Sequence, residues 1–390
     1  MPPTVADLAA VLNDIAPLDG AEPWDKVGLH VGDESAQLSG PALLTIDLTE
    51  PVVDEAINMR ASAIVAYHPP IWEPIERLTG STRTARIVAK AIAHGIAIHS
   101  PHTALDNAEG GVTDWLCEGL AGLAEGESPG GRIQGDVRGL EPHPVHKASQ
   151  EVKIVTFVPD SAVEQVRNAL ATAGAGRIGD YEVCSFSLVG KGTFFAGGST
   201  NPAVGSKHKL ETVDEHRLEM VCSKSGLPLA IETLRQFHPY EEPAYDIYEL
   251  IPEPRRSTGA GRRLVLDQPA TLAELGRRLR THLGRARIKL ALVEPDNDKP
   301  ITHLGVCPGA GSSLVELATR EGCEAFVTGE MKHHEILASL DRGTSLLLAG
   351  HTNTERGYLP RLASKVSAQL PALTIAISNA DRDPLTVLTD

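Results

Sequence analysis

Three stretches of the chain place a histidine or a carboxylate directly behind a short apolar run. In IVAYHPP the run ends on Tyr67 and His68, and the prolines that follow stop any strand. In IAIHSPHTALDN it is followed by His102 and Asp106. In LLLAGHTNTE it leads to His351 and, four residues on, Glu355. Open α/β sheets bind ligands beyond the carboxyl ends of their parallel strands. Three segments of this build therefore point to one site made from His68, Asp106, His351 and Glu355. Imidazole nitrogen with carboxylate oxygen suits zinc, iron or manganese, and the lack of thiolates disfavours a purely structural zinc. A bridging Asp106 or Glu355 would let two divalent metal ions sit close together, as in many hydrolases. Such a site makes hydroxide available near neutral pH.

Other candidates carry less. His99 stands inside its strand and reads as structural. GEMKHHE offers His333 and His334, neighbours at a helix start that point in different directions, so one of them could serve as acid or base. HPYEE, residues 238–242, reads as a turn between helix and strand. PGAGSS, residues 308–313, follows a strand and opens a helix, where backbone amides can hold an anion. It lacks the Walker lysine and the full dinucleotide fingerprint.

The elements that must position these residues alternate. Apolar runs at 42–48, 63–67 and 96–99 are strands, with helices at 51–60, 82–94 and 112–123. This rhythm implies crossover units and a largely parallel sheet, giving an N-terminal α/β lobe over residues 1–125. Residues 126–150 are rich in Gly and Pro and read as a linker. Residues 151–251 follow a β-α-β-β-α-β order, which suggests a ferredoxin-like α+β domain. A second linker spans 252–263, and α/β alternation resumes over 264–390, where 373–377 is the last strand. The fold class is α/β: two lobes form one discontinuous domain around an insert, because proposed ligands come from both sides of the middle unit.

Composition narrows the function. A net charge of −15, from 51 acidic and 36 basic residues, argues against a general nucleic-acid binder. Five scattered cysteines without a CxxC pair suggest neither a disulfide framework nor a thiolate site. The acidic N-terminus lacks the basic start of a signal peptide, and no apolar run is long enough for a membrane span. The expectation is a cytoplasmic protein acting on a small molecule.

AEPWDKVGLHVGD, YHPPIW, HTALD, PGAGSS, TGEMKHHE and GHTNTE, in this order, resemble the NGG-interacting factor three family, also described as GTP cyclohydrolase I type 2-like. The middle unit, with HPYEEPAYDIY, is similar to the PII/CutA-like insert of longer members. The resemblance implies two divalent metals inside a toroidal homohexamer, with His68, Asp106, His351 and Glu355 on ligand positions. Tyr67 stands where many members have a second histidine, and a neutral tyrosine is a poor ligand. Lys26 stands where asparagine is usual. His334 matches a site-lining histidine that would act as general acid or base. The function expected is a dinuclear metal-dependent hydrolase of a nucleotide-like or phosphorylated small molecule. Its rival is a non-catalytic metal-binding regulatory or interaction protein.

Overall fold

The computed structural model describes residues 2–122, 133–145, 147–284, 287–293 and 299–386. The first flank contains Val5–Ile15 (α1), Gly28–Val31 (β1), Ala42–Thr45 (β2), Glu50–Asn58 (α2) and Ala63–Ala66 (β3). Arg83–Ala93 (α3), Ala97–Ser100 (β4), His102–Asn107 (α4) and Val112–Ala121 (α5) complete it. Gly135–Val145 (β5) precedes the middle unit of Val152–Pro159 (β6), Val163–Thr172 (α6), Phe186–Phe195 (β7), Leu210–Cys222 (β8), Leu227–Phe237 (α7) and Tyr245–Glu249 (β9). Glu253–Ala270 (β10) leads into Leu272–Leu283 (α8), Lys289–Ala291 (β11), Ile301–Val306 (β12), Val315–Arg320 (α9) and Ala325–Thr328 (β13). Last come His333–Asp341 (α10), Ser345–Leu348 (β14), Asn353–Arg356 (α11), Leu359–Gln369 (α12) and Ile375–Ile377 (β15).

Every residue of β2, β3 and β4 is buried, and none of the three alternates polar with apolar positions. That is the pattern of a parallel sheet covered on both faces. They pair in parallel, with Leu44 opposite Val65 and Val65 opposite His99, and β1 adds antiparallel to β4. Thr4 and Asp7 form a reciprocal capping box that starts α1, whose Leu8, Val11 and Leu12 face the core. A second sheet has the order β11-β14-β13-β12-β10-β5, with β12, β13 and β14 parallel. One hydrophobic core runs through both flanks, joining Leu44, Val65 and Leu116 to Leu264, Leu304, Val327 and Leu359. The chain accordingly divides into two compact units, Met1–His143 with Arg255–Asp390, and Pro144–Pro254. In the second unit β6 to β9 form an antiparallel sheet of order β7-β8-β6-β9, with Val166 and Leu170 of α6 and Ala230 and Leu234 of α7 in its core.

The fold corrects three expectations from sequence. The first linker, so far as it is described, is mostly strand: its residues 126–132 and 146 lie outside the described residues, but Gly135–Val145 is β5. Pro142 and Pro144 are tolerated there because β5 is the edge of its sheet, where a missing N–H breaks no ladder. The second linker lies within or beside the 18-residue β10, whose Arg262 pairs with Val306. The final strand does not stay with the C-terminal lobe; β15 pairs in parallel with β2, Ile375 opposite Ala42.

His99 bears on stability. It is 4% exposed on β4, and its Nδ1 has no hydrogen-bond partner among the described residues. Burial, helped by the charge of His30, pushes its pKa down to about 4. An unfolded histidine protonates near its ordinary value, so the stability this neutral ring permits is present above that value. It is lost as pH falls from there toward 4. Between pH 7 and pH 5 the loss from His99 should be roughly 2 kcal/mol. Denaturant titrations at both pH values should show a shallower acid loss in His99→Leu. Equal slopes would sink this assignment.

Candidate metal centre

The parallel strands of both sheets deliver the chemistry at their carboxyl ends. Beyond β3, Tyr67 N–H donates to the Thr45 carbonyl at 2.9 Å and His68 N–H to the Ile46 carbonyl at 3.1 Å. The strand direction therefore continues to His68. Its Nδ1 lies 2.9 Å from Asp47 Oδ1, just past β2, and its Nε2 lies 3.5 Å from Glu355 Oε2. Beyond β14, Gly350 turns the chain at φ 88° into His351. His351 Nδ1 is 2.9 Å from Glu330 Oε1, and its Nε2 is 3.4 Å from Glu355 Oε1. Short helix α11 carries Glu355, only 3% exposed.

Donor atoms of His68, His351 and Glu355 lie within 4.8 Å of one another. Each histidine bonds a carboxylate through Nδ1, which turns its Nε2 toward the group. Metal-ligating histidines are held in this way. Glu355 Oε2 is buried without a hydrogen-bond partner among the described residues. Two nitrogens and a hard, unsatisfied oxygen fit a divalent cation of the zinc, iron or manganese kind. Burial disfavours a charged His68, but Asp47 and Glu355 outweigh it and hold its pKa up at about 10. Burial raises the Asp47 carboxyl, yet His68 prevails and keeps it below its ordinary value.

Asp106 and Tyr67 stand beside this group. The Tyr67 hydroxyl donates to Asp106 Oδ1. Burial raises the Asp106 carboxyl to about 7 against the lowering influence of His102 and Tyr67. His102 begins α4 at φ 26°, a conformation that needs outside support in a non-glycine residue. Asp25 supplies that support: its Oδ1 lies 2.7 Å from His102 Nδ1 and its Oδ2 accepts from Thr103 N–H at 3.0 Å. The His102 ring lies 5.3 Å from His68 and 5.6 Å from Tyr67, centroid to centroid. Trp24 and Trp72 are exposed beside it, 5.9 Å apart and 6.2 and 6.3 Å from the His102 ring.

The residues singled out from sequence separate here. His68, His351 and Glu355 converge; Asp106 and Tyr67 form an adjoining pair. His334 is exposed in the first turn of α10 beside Glu335, outside the group. His238 belongs to the second unit, where Nε2 lies 3.0 Å from the Phe157 carbonyl and Nδ1 accepts from Tyr240 N–H. Sequence reasoning missed Asp47, Glu330 and Asp25, whose role exists only through the histidines they hold. The PGAGSS segment brings its backbone against the group. Gly309 has φ 61°, and a Cβ there would lie 2.8 Å from Glu355 Oε1 and 3.1 Å from His351 Nε2. Gly309→Ala should therefore lower Zn2+ affinity at least about tenfold and destabilise the fold by about 1–2 kcal/mol from the left-handed backbone. Chelator competition and denaturant unfolding would measure the two effects; unchanged affinity would show that the group tolerates the methyl.

Comparison with known proteins identifies the family. The family model described as Duf34/NIF3 (NGG1p interacting factor 3) matches residues 3–384. The chain is 32% identical over 367 residues to the Bacillus subtilis GTP cyclohydrolase 1 type 2 homolog, covering 93% of each chain. It is 31% identical to human NIF3-like protein 1, covering 98% of this chain and 92% of the relative. Among solved structures, a Bacillus cereus protein related to NIF3 superposes with TM-score 0.63 at 30% identity, over 100% of both chains. The chain belongs to the DUF34/NIF3 family.

Proposed function

We propose, proceeding from that membership, that this chain is a divalent-metal-dependent hydrolase of a nucleotide-like small molecule. The observation that carries the reading is the convergence of His68 Nε2, His351 Nε2 and buried Glu355, with a carboxylate behind each histidine. These three residues would hold the cation. When bound, zinc, iron or manganese would supply Lewis acidity and hydroxide near neutral pH. With a cation bound and both rings neutral at Nε2, Asp47 and Glu330 would keep the two lone pairs aimed inward. Asp106, held by Tyr67 and close to His102, is placed to take or give a proton at the rim.

Substrate class is suggested by Trp24 and Trp72. Two exposed indoles beside the centre offer a stacking face for a planar heterocycle, and such stacking is worth about 1–3 kcal/mol per base. Guanine nucleotides are the first substrates to try, since several relatives carry the GTP cyclohydrolase name. The test follows ultraviolet absorbance of GTP and ATP on zinc-, iron- and manganese-loaded protein. Turnover should vanish with chelator, return with metal, and be absent in His351→Ala. Turnover that survives chelation would overturn the proposal. Tight metal binding without turnover of any nucleotide would leave a metal-binding regulatory protein instead.

A further inference from the structure

We infer that the centre takes one divalent cation per chain, not the two that family resemblance suggests, because the Tyr67 phenol closes the second position. The inference rests on the metal-binding part of the function proposed above and concerns how many ions that centre accepts. Among the described residues a single group of three donors has all its ligand atoms within 4.8 Å, and it is His68, His351 and Glu355. Asp106 and His102, from which a second site would have to be built, do not complete another.

The reason lies in what surrounds them. Tyr67 is 2% exposed, and its hydroxyl donates to Asp106 Oδ1. The oxygen that could have bridged two cations therefore already accepts a hydrogen bond from a neutral neighbour. A cation brought to this place would meet the positive end of the O–H dipole. The phenol cannot swing away easily, because its ring packs edge-on against His68 at 5.1 Å and His102 at 5.6 Å. Ser100 Oγ also fixes the Tyr67 backbone by donating to its carbonyl at 2.8 Å. Histidine in the same place would reverse the chemistry: it presents a lone pair where tyrosine presents a proton, and it leaves Asp106 free to ligate. Tyr67 is thus the residue that sets the number of ions.

Metal content is the test. Full-length protein is loaded with excess Mn2+ or Zn2+, freed of unbound ion, and assayed for metal per chain, with manganese samples also examined by paramagnetic resonance. Wild type and Tyr67→Phe should each hold one equivalent and give the six-line spectrum of isolated Mn2+. Tyr67→His should rise toward two equivalents and show an exchange-coupled pair. Two equivalents in wild type would overturn the inference, and so would a soluble Tyr67→His that remains at one. No metal in wild type would fail differently, because it removes the proposed metal function itself. Should Tyr67→His not fold, the stoichiometry and spectrum of wild type still decide how many ions the centre takes.

Discussion

Glu355→Gln should lose cation affinity by at least about 100-fold while the metal-free fold keeps its stability to within about 1 kcal/mol. The affinity loss exceeds the 10–100-fold typical of an outer partner, because Glu355 supplies the one anionic oxygen among the three donors. Stability behaves otherwise. Without a cation the Glu355 carboxylate is buried, its Oε2 has no hydrogen-bond partner among the described residues, and His68, which Asp47 also holds charged, compensates for its desolvation together with His351. A neutral amide of the same shape removes the desolvation cost along with the attraction, and it leaves His68 still paired with Asp47, so no charge is stranded. Asp47→Asn and Glu330→Gln form the graded comparison. Asp47 backs His68 in a half-buried setting, whereas Glu330 backs His351 from a largely exposed one. Asp47→Asn should thus cost affinity near the upper end of the 10–100-fold range and Glu330→Gln near the lower end. Competition against a chromophoric chelator gives the affinities, and urea unfolding in chelator gives the stabilities. A parallel fall of both quantities in Glu355→Gln would make the residue structural and remove the support for a cation here.

The order of these effects follows how each residue was legible. His68, His351 and Glu355 stand out in the sequence because an apolar run delivers them, and a parallel strand has only one end at which ligands collect. Asp47, Glu330 and Asp25 have no such marker. Each is an ordinary carboxylate near a strand end, and its importance appears only when the fold turns a histidine Nδ1 toward it. His334 shows the converse: a motif match raised it, yet α10 leaves it exposed, because the first turn of a surface helix faces solvent as readily as a site. The elements divide in the same way. Strands β2, β3 and β4 are continuous apolar runs and could be read directly, since burial on both faces leaves no room for polar residues. Strands β5 and β10 are hidden by Pro, Gly and Arg, residues that a sheet edge or a buried ion pair tolerates but local pattern does not favour. The crossing of β15 into the first sheet depends on packing across the whole chain, which no local pattern encodes.

The largest effect on folding is expected at Arg262, in a segment whose composition looks like a flexible connection. Arg262 is completely buried and is among the largest fully buried side chains. Its Nε donates to Asp114 Oδ1 at 2.6 Å. Its remaining nitrogens donate to the carbonyls of Ser257, Gly259, Gly261, Asn107 and Ala108 at 2.8 to 3.1 Å. One guanidinium from β10 therefore ties its own strand to the end of α4 and the start of α5. The planar fork suits this role because its donors can be satisfied together, which a lysine could not do. Asp114 is nearly as buried and also accepts from Gly110 N–H at 2.6 Å. Removing Arg262 leaves that carboxylate unpaired and several carbonyls without donors, the situation in which breaking a buried pair costs about 3–5 kcal/mol. Arg262→Met should lower stability by that amount, and Arg262→Lys should recover only part of it. The double variant Arg262→Met/Asp114→Leu should be more stable than Arg262→Met alone, because the stranded charge is gone. Denaturant midpoints of the four proteins in chelator measure this without reference to the metal. If Arg262→Met lost less than about 1 kcal/mol, water would be reaching this site and the guanidinium would be a replaceable tie. If the double variant were the weaker one, the Asp114 contact with Gly110 would matter more for holding α5 than the ion pair does.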